Sequence, residues 1–139
     1  MALIFNNLNA IKSLNTNFLN KIKKIIKQIL NDYEFKEGKI IINLVNDNEL
    51  LQINKNFLNH DYYTDIIVFN EIKNNYLFAE LYISYDRLIE NANKYNQSIE
   101  NETARLIIHG ILHSCGEDDN DEKSKQSMTI KENYYLNFY

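Results

Sequence analysis

The sequence predicts an α+β fold: one compact domain in which a small mixed sheet packs against helices, one of them carrying His at positions i and i+4. Three observations carry this prediction. Short runs of β-branched and aromatic residues alternate with longer segments whose apolar residues recur at helical spacing. Their order is helix, strand, helix, strands, helices, which suits a single α+β layer packing. The chain has 139 residues, 45% apolar and 24% charged, enough for one substantial core and too short for a second domain, so residues 1–139 form one unit.

Residues 2–5 (Ala-Leu-Ile-Phe) start a strand. With Ser13 as a cap, Leu14, Phe18, Ile22, Ile25, Ile26, Ile29 and Leu30 predict a helix over 14–30. Lys21, Lys23, Lys24 and Lys27 lie on its other face, which is either a solvated side or a patch facing nucleic acid. Gly38 reads as a turn before a buried strand over 39–45. Asp47 suits a helix N-cap, with Leu50, Leu51, Ile53, Asn54 and Phe57 on a short amphipathic helix. Residues 64–69 and 77–85 are further core strands, with a polar turn over 71–75. Asp86 caps a helix to about residue 95, a start signal falls near Ser98, and an apolar helix over 104–115 ends at Gly116. A last helix covers 121–135, and there is no internal repeat, linker or low-complexity tract.

The composition is skewed, with 23 Asn, 20 Ile and 10 Tyr against 2 Arg, no Pro and no Trp. The favoured residues have A/T-rich codons, so a generic Lys or Asn carries little information. The three Gly, three His and one Cys carry more. A net charge of -4 argues against a protein that grips nucleic acid over its whole surface, although a local patch remains open. One Cys forms no internal disulfide, and no segment has the pattern of a membrane span or signal peptide. A reducing cytoplasm is the expected location.

The chemistry concentrates in His109-Gly-Ile-Leu-His113-Ser-Cys-Gly116-Glu-Asp-Asp119. Residues four apart stack on one helix face, so both imidazoles reach a common ion. Gly116 ends the helix and turns the chain so that Asp119 approaches the same point. Two His and one carboxylate match the three protein ligands of a catalytic zinc site; the alternative is two histidines that fall four apart without a metal. Gly110, a mid-helix Gly that costs about 1 kcal/mol relative to Ala, and Gly116 flank His113. Cys115 lies roughly 200° around the helix from His113 and reads as a buried, inert thiol. The acidic run from Glu117 to Glu122 fails as a calcium loop, because its sixth position from Asp118 is Lys123 rather than Gly. Gly110 also stands where zinc peptidases place their general-base Glu, which disfavours peptide hydrolysis.

This segment resembles the H-G-x-L-H-x-x-G-x-D-H signature of the YbeY family of rRNA-maturation endoribonucleases, with His109, Gly110, Leu112, His113, Gly116 and Asp118 at matching positions. The stretch from Asn54 to Phe69 resembles the family's N-x-x-Y-R-x-K-D-x-P-T-D-V-L-S-F, and Ala79-Glu80-Leu-Tyr-Ile-Ser84 resembles its G-D-I-x-I-S strand, with Ala79 and Glu80 replacing Gly and Asp. The likeness spans about residues 35–135 in one order. It implies a zinc ion, one per chain, and metal-dependent cleavage of single-stranded RNA in 16S rRNA 3′-end maturation and ribosome quality control. The implied partners are rRNA and ribosomal particles, with no membrane.

Two departures matter. Asp119 replaces the third His of the signature, remaining a competent ligand but adding negative charge, which makes the ion a weaker Lewis acid. Leu58 stands at the family's Arg and cannot hold a phosphate. His60, at the family's Lys, has three readings: a surface loop residue, a substrate-phosphate or proton-transfer group, or a fourth metal ligand. Asp65 reads as a capping carboxylate or one that orients a ligating His, and Asp61 and Thr64 as turn formers. No general base is evident. The leading expectation is a zinc endoribonuclease using His109, His113 and Asp119; the alternative is a non-catalytic, metal-binding ribosome assembly factor, which the loss of Arg at Leu58 would explain.

Overall fold

The computed structural model describes residues 2–139. The elements are β1 (Ala2–Asn6), a short 3-10 turn (Leu8–Ala10), α1 (Thr16–Asp32), β2 (Lys36–Val45), α2 (Asp47–Leu58), β3 (Ile66–Lys73), β4 (Tyr76–Ser84), α3 (Tyr85–Lys94), α4 (Ile99–Ser114) and α5 (Glu122–Leu136). The four strands form one mixed sheet in the order β1-β2-β4-β3. β1 and β4 run parallel to β2, and β3 pairs antiparallel with β4 and is an edge strand. The expected α+β class with a small mixed sheet and packed helices is the observed one.

Alternation puts Ile40, Ile42 and Leu44 of β2 and Leu77, Ala79, Leu81 and Ile83 of β4 on one sheet face, all buried. α1 brings Phe18, Ile22, Ile25, Ile26, Ile29 and Leu30 to the same core. α4 is the central helix: it contacts α1, α3 and α5 as well as β3 and β4. Its apolar residues are accordingly not confined to a stripe, and Ala104, Leu106, Ile107, Ile108, Ile111 and Leu112 are all buried.

Several boundaries differ from expectation for local reasons. The α1 cap is Asn15, not Ser13, and the α2 cap is Asn46, whose side chain forms a reciprocal box with Glu49. Asp47 is freed to accept from Ser84 Oγ and Arg87 Nε, each at 3.1 Å. Ser84, rather than Asp86, caps α3, and Asp86 instead accepts the Asp47 backbone N–H at 2.9 Å. α4 starts at Ile99, capped by Ser98 as expected, because its polar first turn hides the onset of the apolar pattern. Gly38 lies within β2, at the register shift between Glu37 and Ile40. β3 continues through the polar residues expected to be a turn, and the reversal is made by Asn74 and Asn75, both left-handed with φ of 50° and 67°.

Gly110 is where α4 comes closest to the sheet. A Cβ on it would stand 2.7 Å from Leu81 Cδ2 and 3.1 Å from Ile66 Cδ1. Both neighbours are packed side chains in the core, so the missing methyl sets the distance between helix and sheet. Gly110→Val should therefore push α4 off β3 and β4 and destabilise the fold by about 1–3 kcal/mol, read as a lower urea midpoint. An unchanged midpoint would show that the helix is not held at this distance.

Candidate metal centre

α4 presents His109 and His113 on one face, with ring centroids 5.1 Å apart at 74°. The helix then ends in a Schellman turn: the Gly116 N–H donates to the His113 carbonyl at 3.0 Å, and the Glu117 N–H reaches back to the Leu112 carbonyl at 3.1 Å. Gly116 holds φ of 106°, which a side chain would strain. The chain thus doubles back over the last turn of α4 and delivers Asp119 to both imidazoles. Its Oδ1 lies 3.3 Å from His113 Nε2 and its Oδ2 lies 3.6 Å from His109 Nε2.

This donor set fits a metal ion. Ligands about 2.0–2.2 Å from a tetrahedral ion stand about 3.3–3.6 Å apart, the range at which each Asp119 oxygen lies from its own imidazole nitrogen, Oδ1 from His113 and Oδ2 from His109. The three residues offer ligand atoms within 4.8 Å of one another, and among the described residues they are the group that could hold a metal. All three residues proposed from the sequence are brought together. His60 is not in this group, and neither is Cys115.

The second nitrogen of His109 is fixed from behind. Nδ1 is 2.7 Å from Glu132 Oε2, and Glu132 Oε1 accepts from Arg105 Nη1 at 3.1 Å. A proton on Nδ1, assigned from this network, leaves the Nε2 lone pair facing Asp119. Burial lowers the His109 pKa, but the Glu132 hydrogen bond and the carboxylates of Glu132, Asp119 and Asp65 outweigh it and hold the imidazole above its ordinary value. Glu132 was missed from the sequence. Its signal was its place on α5 with Met128 and Tyr135, at i-4 and i+3, on the buried stripe of a mostly polar helix; a carboxylate there, 7% exposed, requires a partner.

Asp65 does not orient a ligating His: that hydrogen bond comes from Glu132. At the start of β3 the Asp65 backbone carbonyl accepts the Ser84 N–H at 3.0 Å. Burial raises its pKa, against the lowering effect of His109. Burial likewise raises Glu102, with Arg105 opposing and Asp65 and Glu132 adding repulsion.

A cavity of about 520 Å³ opens beside the three residues, along the free edge of β3. Leu58, His60 and Tyr62 from the α2–β3 segment form part of its wall, and no Lys or Arg lines it. The α1 lysines lie outside it. His60 Nδ1 is 3.0 Å from the Tyr62 hydroxyl, and the two rings stack with centroids 5.1 Å apart at 20°. Asp61 makes an exposed pair with Lys55 at 3.6 Å, and Thr64 Oγ1 donates to the Ile66 carbonyl at 3.4 Å. Glu80 belongs to the opposite sheet face, where it accepts from Tyr82.

Apart from Asp119, the acidic run supplies structural contacts. Glu117 accepts from Lys131 at 2.6 Å and from the Tyr33 hydroxyl at 3.2 Å, and Asp121 caps α5. Burial, with help from Glu117, pushes the half-buried Cys115 thiol up to about 12. At pH 8 the native protein should therefore react with iodoacetamide more than about a hundredfold slower than free cysteine, because the thiolate is the nucleophile. Reaction at the free-cysteine rate, followed by mass spectrometry, would show an exposed thiol.

Comparison with known proteins matches the chain and its fold to one group. A family model described as "Endoribonuclease YbeY" matches residues 3–139. A Bacteroides fragilis protein named endoribonuclease YbeY is 39% identical over 111 residues, covering 80% of each chain. The protein of that name from Azobacteroides pseudotrichonymphae is 43% identical over 111 residues, again 80% of each chain, and that from Flavobacterium psychrophilum is 35% identical over 124 residues, 89% of this chain and 86% of its own. The solution structure of TM1509 from Thermotoga maritima superposes with a TM-score of 0.68 at 24% identity, covering 99% of this chain and 88% of that one, which shows the shared fold. With the match running through both the helix that carries His109 and His113 and the turn that carries Asp119, this chain belongs to the YbeY family.

Proposed function

We propose that this chain is a metal-dependent endoribonuclease that cleaves single-stranded rRNA, with one zinc ion held by His109, His113 and Asp119. The reading extends to 16S rRNA 3′-end maturation and ribosome quality control in the cytoplasm, with rRNA and ribosomal particles as partners. Among the described residues no helix is long and apolar enough to cross a membrane. One observation carries the reading: a carboxylate divided between two Nε2 atoms at 3.3 and 3.6 Å, at the wall of a cavity wide enough for a nucleotide. Zinc bound there supplies Lewis acidity to a phosphodiester.

The chain's own residues prepare that site. Glu132 and Arg105 hold His109 in the tautomer whose free nitrogen faces Asp119. Gly116 aims Asp119, and the Asp65 carbonyl, accepting from the Ser84 N–H, ties the start of β3, the strand that borders the cavity, to β4. The position after His109 is turned against Leu81 and Ile66, into the sheet, so no side chain there acts as the base of a zinc peptidase. A second reading, a metal-binding assembly factor without catalysis, draws on the absence of Lys and Arg from the cavity wall and on Leu58 at its rim.

Purified protein should cut a single-stranded rRNA fragment, stop when a chelator removes the metal, and lose at least about a hundredfold in rate as Asp119→Ala, read on denaturing gels. Metal-loaded protein that leaves such RNA intact favours the assembly factor; cutting that survives chelation removes the metal from the mechanism. Glu132→Gln should keep the fold and weaken zinc binding by about 10- to 100-fold in a competition titration with a chromophoric chelator. An unchanged affinity would mean that Glu132 does not orient His109.

A further inference from the structure

The cavity wall lacks the cations that usually hold a nucleic acid, and the chain carries a net charge of -4. The cations at the cavity's rim, Lys55 and Arg87, are each paired with a carboxylate, Asp61 and Asp47 respectively, so an RNA chain in the cavity meets no unpaired cation on its wall. What the rim offers instead is aromatic surface. Between the last turn of α2 and the start of β3, Phe57, Tyr62 and Tyr63 are 71%, 55% and 49% exposed.

Tyr62 differs from the other two because it is both part of the cavity wall and fixed in place. Its ring stacks on His60 at 20°, and its hydroxyl meets His60 Nδ1 at 3.0 Å. Its carbonyl accepts from the side chain of buried Asn54 at 2.9 Å, and the Asn54 carbonyl in turn accepts the His60 N–H at 3.1 Å. Two backbone anchors from one α2 residue thus clamp the segment that carries the stacked pair. An exposed tyrosine of a Tyr-rich chain has no need of such support; a surface that must receive a flat ligand does, since a ring already oriented loses less entropy on binding.

Resting on the single-stranded RNA reading above, we propose that Tyr62, braced by His60, is a nucleobase-stacking residue, and that affinity for substrate comes from an unpaired base more than from phosphate charge. Every base has a π-face, so such a contact tolerates sequence but requires an unstacked base. It places Leu58 as apolar wall beside a base rather than as a failed phosphate ligand, and gives His60 a supporting role in place of metal ligation. It also predicts a shallow salt dependence, because few counterions are released.

The test is fluorescence anisotropy with a short, fluorescein-labelled, 2′-O-methylated single-stranded oligonucleotide, checked by gel to stay intact, and with the same backbone made abasic. Wild-type protein should bind the base-containing strand about 10- to 100-fold more tightly than the abasic one. Tyr62→Ala should erase that difference, lowering affinity for the base-containing strand alone, while Tyr62→Phe, which keeps the ring, stays within about threefold of wild type. Equal binding of both strands by wild-type protein overturns the stacking proposal without touching the fold of any variant, and so does a Tyr62→Ala that binds like wild type. If wild-type protein binds neither strand and cuts no single-stranded RNA, the functional reading itself falls, and the stacking proposal with it.

Discussion

The close approach of α4 to the sheet at Gly110 determines where every part of the centre stands. Without a side chain at that position, α4 lies against Leu81 of β4 and Ile66 of β3, and its next residues project His109 and His113 toward the edge of the sheet. The same seating lets α4 bury most of its circumference, which is why a 16-residue helix with polar ends becomes the centre of the core. A helix displaced outward would carry both imidazoles away from β3 and open the cavity that β3 borders. Packing in the core and ligand geometry at the surface are therefore one constraint.

The second level is electrostatic. Around His109 stand Glu132, Asp119 and Asp65, with Glu102 behind them, against the cations Arg105 and, toward Asp65, Arg87. Such an excess of carboxylates over cations is costly in a partly buried setting, and burial raises both Asp65 and Glu102. A divalent cation held by His109, His113 and Asp119 would offset that excess, which agrees with the donor spacing. Asp119 would sharpen the balance, since a carboxylate brings more negative charge to such an ion than an imidazole does.

The parts of this centre that lie in one local stretch were legible in the sequence. Helical spacing joins His109 to His113, and a helix-ending Gly116 returns the chain to Asp119, so all three residues of the group that could hold a metal follow from eleven residues. Glu132 was not legible in that way, because it reaches His109 from another helix, 23 positions on, and only tertiary packing brings them together. For the same reason the sequence left Asp65 open between capping and orienting a ligating His, and the orienting hydrogen bond comes from Glu132. Strand positions were found and strand ends were not: the distal half of β3 is polar because that edge strand meets solvent on both sides there, so it read as a turn. Caps slipped by one or two residues where Asn, Asp and Ser crowd together, as at Asn46 and Asp47, since each of these side chains competes for the same N–H. The aromatic rim was masked by a composition already rich in Tyr and Phe.

If two imidazoles and a carboxylate hold the ion, elemental mass spectrometry should find close to one zinc per wild-type chain and a sharp loss from Asp119→Ala. Wild-type protein that carries no stoichiometric metal, or a variant that keeps it, would show that His109, His113 and Asp119 do not form the site.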